Sequence, residues 1–106
     1  NTVWFDFENL CGDGRSIDDY IEIAKIYENV FISNIPVLDD NQKDSARRFI
    51  NMIDEFYDRK VKIILSADAL IEKLCKVTKL ESEFKRTESR INEMQQEKYI
   101  QMEHRT

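Results

Sequence analysis

Asp44-Ser-Ala-Arg-Arg-Phe-Ile-Asn-Met-Ile-Asp-Glu-Phe-Tyr-Asp-Arg-Lys-Val-Lys-Ile-Ile-Leu-Ser66 decides the fold class. Ala46, Phe49, Ile50, Ile53, Phe56 and Tyr57 recur at offsets of three and four, which draws one apolar stripe along a helix. Val61-Lys-Ile-Ile-Leu65 follows after a gap too short for a flexible loop, and its apolar run reads as a strand buried on both faces. A long amphipathic helix feeding a short buried strand is half of a βαβ unit.

The same alternation continues toward the N-terminus. Val3-Trp-Phe-Asp-Phe7 reads as a strand with aromatic weight, and Cys11-Gly-Asp-Gly-Arg15 as a turn. Ser16 and Asp19 have the spacing of a capping pair for a helix opening at Ile17, whose buried face is Ile17, Tyr20, Ile21, Ala24 and Tyr27. Val30-Phe-Ile-Ser33 is the second strand, closed off by Pro36. Asp39 or Asp40 caps the long helix.

Beyond Ala67 the pattern predicts a short helix over 69–75 and a long one from about Leu80 to Met102, with the tail His104-Arg-Thr106 frayed. The expected fold is α/β: a small three-stranded parallel sheet built from βαβ units, with a long C-terminal helix. Residues 1–79 form the βαβαβ part and 80–106 the C-terminal helix of a single domain. Both crossovers should be right-handed.

Composition narrows function. The chain has 106 residues, 42% hydrophobic and 35% charged, which is enough for one core. A net charge of −5 and the lack of basic-aromatic interleaving argue against a nucleic-acid partner. No run approaches the roughly 20 apolar residues that span a bilayer, so no transmembrane segment is expected. Cys11 and Cys75 lack any metal or disulfide pattern and read as reduced thiols. With the single His at position 104, a His-based metal site or catalytic dyad is not expected. The chain opens on a strand almost at once, as an excised domain of a larger protein does.

Several signatures line up in order: Phe5-Asp-Phe-Glu-Asn-Leu-Cys-Gly12, Asp19-Tyr20, Ser33-Asn-Ile-Pro36, Ala46-Arg-Arg-Phe49 and Ile53-Asp-Glu-Phe-Tyr57. Ser66-Ala67, Phe84-x-Arg-Thr-x-Ser-Arg90, Glu93-Met-Gln95 and Tyr99 complete the set. Together they resemble the C-terminal region of the ZapE-type cell-division ATPases, the bacterial branch of a family shared with a mitochondrial AFG-one-like ATPase. The resemblance spans nearly the whole chain. Asp68-Ala-Leu-Ile-Glu72 and Cys75 depart from it, because family members carry a proline and an aromatic there.

The resemblance implies a parent enzyme of the AAA+ type in the bacterial cytoplasm, using ATP and Mg in an N-terminal half to regulate division or remodel proteins. This chain has no Gly-x-x-x-x-Gly-Lys-Ser/Thr loop to wrap phosphates and no Walker B acidic pair. The fragment alone is therefore expected to hold no cofactor and to be inactive. Its expected partners are the N-terminal ATPase half, other copies of itself and a division-machinery protein. The competing reading is a nucleotide-independent module that recruits a division or quality-control partner. A stand-alone small enzyme fits less well, because no nucleophile–base pattern is present.

Two arginine pairs are candidates for sensing nucleotide or facing a neighbouring subunit. Arg47 and Arg48 lie off the apolar stripe of their helix, with Asp44 four residues from Arg48 as a surface partner. Arg86 and Arg90 lie on the polar side of the last helix, each three residues from Glu83 or Glu93. A solvated, ion-paired face explains either pair; so does phosphate neutralisation. In AAA+ proteins a helix C-terminal to the core often supplies a phosphate-sensing arginine, which the resemblance extends to Arg86 or Arg90.

Ser33, Asn34 and Ser66 fall where the parallel strands end, the edge at which open α/β sheets bind ligands; they also serve as simple caps. Asp39, Asp40 and Asp44 sit at a helix start, where carboxylates belong for capping, so no metal site is expected. Adjacent aromatics among Trp4, Phe5 and Phe7 point to opposite faces of a strand, and a three-stranded sheet flanked by few helices can hardly cover both faces. An exposed apolar patch is expected where a missing half or another copy would pack.

Overall fold

The computed structural model describes residues 1–105. Three parallel strands, β1 (Thr2–Asp6), β2 (Asn29–Ile35) and β3 (Lys62–Ala67), form one sheet in the order β1-β2-β3. A short helix α1 (Phe7–Cys11) follows β1, α2 (Ile17–Ile26) leads to β2, and α3 (Lys43–Asp58) leads to β3. After β3 come two single 3₁₀ turns, Ile71–Lys73 and Thr78–Leu80, then α4 (Glu81–Met94) and α5 (Glu97–Ile100). The α/β class and parallel three-stranded sheet expected from the sequence are present.

Pairing register sets which side chains share a face. Val3, Val30 and Ile63 stand opposite one another, as do Phe5, Ile32 and Leu65. These rows face the helices; Val30, Ile32 and Ile63 are buried. The α3 stripe fills the space above them, with Ala46, Phe49, Ile50, Ile53 and Phe56 all buried. Packing of α2 and α4 against α3 closes this one layer. Phe7, Phe49 and Phe84 run through it as a chain of rings with centroids 6.1 and 6.2 Å apart. The apolar stripe in the sequence is thus the core itself.

The Ser16–Asp19 capping box forms, with the Ser16 amide donating to Asp19 Oδ2 at 2.9 Å. Asp39 is the capping residue, and its Oδ1 accepts from the Asn41 amide at 2.9 Å. It caps a 3₁₀ turn, Asp40–Gln42, that runs into α3 rather than capping α3 directly.

Six expectations need correction. Ile17 is not on the buried face of α2: it is 45% exposed at the helix start, and Ile23 is buried with Tyr20 and Ala24. Phe7 is not the end of a strand: Asp6 accepts from the Glu8 amide at 3.3 Å and opens α1, so Phe7 turns into the core. β3 is not buried on both faces, because Ile64 is 56% exposed. Residues 69–75 do not form a helix; only the 3₁₀ turn Ile71–Lys73 forms there. Leu38 ties that segment down, donating to the Leu74 carbonyl at 2.8 Å and accepting from the Lys76 amide at 2.6 Å. The long C-terminal helix holds only roughly, since it stops at Met94 and resumes as α5 after Gln95 and Gln96.

The break returns Tyr99 to the core, where it is 1% exposed and donates to the Val61 carbonyl at 2.8 Å. The tail, finally, is strapped rather than frayed. His104 Nε2 lies 2.6 Å from the Ala24 carbonyl, and the Arg105 amide donates to the Arg59 carbonyl at 2.8 Å. Thr106 lies outside the described residues.

Candidate functional site

The carboxyl edge of the sheet gathers Ser33, Asn34 and Ser66, as their positions at strand ends suggested. Asn34 is held there by an irregularity. Ile32 pairs with Leu65 and Ile35 with Ala67, so β2 spends one more residue than β3 over the same span. Asn34 absorbs the mismatch with a φ of 59°, a conformation that Asn tolerates better than most residues. Its Nδ2 donates to Asp6 Oδ1 at 2.6 Å, while Asp6 Oδ2 accepts from Glu8. One carboxylate thus caps α1 and pins the bulged residue.

Ser33 is engaged differently. The Trp4 indole Nε1 donates to its Oγ at 2.9 Å. Ser66 is exposed and lines a shallow cavity of about 100 Å³ with Trp4, Phe31, Ser33 and Ile64. The edge therefore carries two hydroxyls, the Asn34 amide and the Asp6 carboxylate.

The two arginine pairs are not brought together. Arg47 and Asp54 stand seven positions apart on α3, roughly 10 Å along the helix at 1.5 Å per residue. Arg47 is exposed and makes no ion pair or side-chain hydrogen bond among the described residues. Arg48 does not pair with Asp44. Its Nη1 donates to the Cys11 carbonyl at 3.3 Å, at the end of α1, and its Nη2 lies 3.9 Å from Asp13. Asp13 is fully solvated, so that pair contributes little.

Arg86 and Arg90 bypass Glu83 and Glu93 and converge on Asp54 of α3. Arg86 is 3.3 Å from Asp54 Oδ2, and Arg90 binds Oδ1 more tightly. The Arg90 guanidinium also covers the Tyr57 ring at 4.9 Å, while Tyr57 donates to Glu93 at 2.9 Å. Three of the four candidate arginines are thus occupied within the domain.

Asp39 and Asp40 serve the backbone, the latter accepting from the Thr78 amide at 3.0 Å. Cys11 is buried beside Met52, with its sulfur 3.9 Å from the Met52 sulfur, and Cys75 is half-buried; both are free thiols. Burial pushes the Cys11 thiol up to about 12, which leaves it protonated and unreactive at neutral pH.

Asp6 and Asp54 are site residues that the sequence reading did not single out. The signal for Asp6 was present, since an aspartate directly before a helix-length apolar pair, Phe7 and Leu10, is a cap position. Asp54 gave none, because its partners lie 32 and 36 residues away.

Comparison with known proteins decides the relationship. The family model described as AFG1-like ATPase matches residues 1–103. The chain belongs to the AFG1-like ATPase family. "Cell division protein ZapE" of Escherichia coli K12 is 39% identical over 103 residues, which is 97% of this chain and 28% of that protein. "Lactation elevated protein 1 homolog B" of Danio rerio is 44% identical over 68 residues, covering 64% of this chain and 14% of its own length. The AFG1-like chain described here therefore spans little more than a quarter of the bacterial relative. No solved structure matches it.

Proposed function

We propose that these residues are a C-terminal domain without a phosphate-binding loop, belonging to an AAA+-type ATPase of the AFG1-like family. In this reading another part of the same polypeptide binds Mg-ATP, and its hydrolysis drives regulation of cell division or protein remodelling in the bacterial cytoplasm. The observation that carries it is the family match across residues 1–103, in a stretch with no P-loop and no Walker B pair. The first relative's printed name, a cell division protein, supports the process. No helix among the described residues is long and apolar enough to cross a membrane.

Within that reading Arg47 is the strongest candidate to meet a phosphate or a neighbouring copy. Arg48, Arg86 and Arg90 already have partners within the domain, and releasing them forfeits those contacts. Arg47 is exposed in the second turn of α3. A guanidinium with no ion pair among the described residues is suited to neutralise charge developing on a transferring phosphoryl group.

The test is steady-state ATP turnover of the full-length protein and its Arg47→Ala variant. A positioned arginine of this kind is worth about 10³-fold or more in kcat. Loss on that scale with an unchanged thermal midpoint supports the assignment; unchanged turnover removes Arg47 from the site. Absence of turnover in the parent protein removes the ATPase reading itself.

A second reading is a nucleotide-independent recruiting module. The observation that favours it is the open row Trp4, Phe31 and Ile64, all exposed. Retained turnover with lost partner capture in Trp4→Ser would select it.

A further inference from the structure

The three strands place Trp4, Phe31 and Ile64 directly opposite one another. They are 72%, 37% and 56% exposed, an apolar row on the face away from α2, α3 and α4. The cause is topological. In a sheet of order β1-β2-β3, two crossovers of the same hand pass over the same side. Among the described residues, one face receives the crossover helices α2 and α3, and the row Trp4, Phe31 and Ile64 on the other is exposed. Sheets made only of parallel strands are otherwise covered on both faces.

The row is prepared for a cover. Trp4 is fixed by its bond to Ser33, which holds the indole beside the cavity of about 100 Å³ between Phe31, Ile64 and Ser66. That dimple has room for one aliphatic side chain. Within β1, β2 and β3 the inter-strand hydrogen bonds lie in the plane of the sheet, so this face offers side chains alone. A helix laid across it satisfies its own backbone and needs only that.

We propose that this face is covered by an amphipathic helix of the same polypeptide, from outside residues 1–106, seating an aliphatic side chain between Trp4, Phe31 and Ile64. The inference rests on the reading of the chain as one domain of a longer ATPase. The size of the row selects a tethered occupant. Thr2, Asn29 and Lys62 flank it on one side and Asp6, Ser33 and Ser66 on the other, so the apolar band is one residue deep along each strand. Such a strip falls well short of the roughly 800 Å² per partner of a free-standing interface. A tethered helix does not face that requirement, because its effective concentration reaches about millimolar. The bacterial relative has that length to offer, since this chain spans 28% of it.

The experiment is hydroxyl-radical footprinting of the unsubstituted full-length protein, read by mass spectrometry at Trp4, Phe31 and Ile64. ATP turnover is assayed on the same sample, and protein concentration is varied widely. The proposal expects oxidation of Trp4 several-fold slower than that of exposed Trp4 in the 106-residue chain, at every concentration. Protection that appears only as concentration rises assigns the face to a second copy and overturns it. Trp4 oxidised as fast as in the short chain overturns it too. Protection without turnover sinks the ATPase reading and leaves the covered face standing; turnover with Trp4 exposed does the reverse.

Discussion

Arg90 of α4 binds the Asp54 carboxylate of α3 and lays its guanidinium over the Tyr57 ring, so one side chain joins the two helices by charge and by stacking. Arg86 reaches the same carboxylate from a more exposed position, with its side chain 57% accessible against 28% for Arg90. The two contacts therefore differ in worth although they share an acceptor.

Arg90→Ala should destabilise the chain by about 1–2 kcal/mol, combining a half-buried ion pair with a cation–π contact. Arg86→Ala should cost less than about 0.5 kcal/mol, and that little should vanish in high salt. Urea midpoints of the two variants check the order. Equal costs would mean that Tyr57 stacking contributes nothing. The asymmetry also matters for turnover assays: Arg86→Ala tests a phosphate role with the fold nearly untouched, whereas Arg90→Ala confounds the two.

Alkaline pH should weaken the fold. Burial raises the Cys11 thiol from an ordinary 9.0 to about 12, and burial likewise raises the Tyr20 and Tyr99 phenols from their ordinary 10.0. Tyr20 donates to the Leu10 carbonyl at 2.7 Å and Tyr99 to Val61. Above pH 9 the unfolded chain begins to lose protons that the folded chain retains. Stability from these groups is thus complete below pH 9 and falls as pH rises, by up to about 1.4 kcal/mol per unit for each group. Urea midpoints taken from neutral pH to pH 11 should decline along this course, and Tyr99→Phe should flatten the decline above pH 10. At neutral pH a thiol reagent should label half-buried Cys75 well before Cys11.

Lys60 ends α3 with a φ of 59°, a position usually held by glycine. Its Nζ lies 4.8 Å from the Tyr57 ring centre and 5.7 Å from that of Tyr99, two rings stacked at 6.1 Å. The strain, about 1 kcal/mol, is set against cation–π contacts worth about 0.5–1 kcal/mol. Lys60→Gly should therefore leave stability nearly unchanged. Lys60→Ala keeps the strain, loses the contacts and should cost about 0.5–1 kcal/mol. Thermal unfolding of both variants tests this, and an Ala variant as stable as the parent would discount the ring contacts.

What could be read from the sequence followed from period and proximity. The stripe from Ala46 to Phe56 and the Ser16–Asp19 box are local patterns, and both are present. Phe7 misled because it continues the alternation of Val3 and Phe5, although Asp6, one residue earlier, caps α1 and ends the strand. Ile64 misled because an apolar run does not reveal which face of the sheet the crossovers cover. At the site, Ser33, Asn34 and Ser66 were legible as strand ends. The pairing of Arg86 and Arg90 with Asp54 was not, since rules for neighbours three or four apart say nothing of partners 32 and 36 residues away. The left-handed Asn34 was equally hidden, because a bulge is a property of two strands and not of one.

Asn34 allows strain and chemistry to be separated. Its left-handed backbone costs about 1 kcal/mol, while its bond to Asp6 returns a similar amount, about 1 kcal/mol. Asn34→Gly removes both and should keep stability within about 0.5 kcal/mol of the parent. Asn34→Ala keeps the strain, loses the bond to Asp6 and should cost about 1 kcal/mol. Urea unfolding settles that order. Asn34→Gly in the full-length protein then isolates the side chain, because the backbone path of β2 is preserved. Turnover that falls in this stable variant would make the Asn34 amide part of the nucleotide edge. Turnover that stays at the parent level would leave Asn34 as the clasp between β2 and the start of α1.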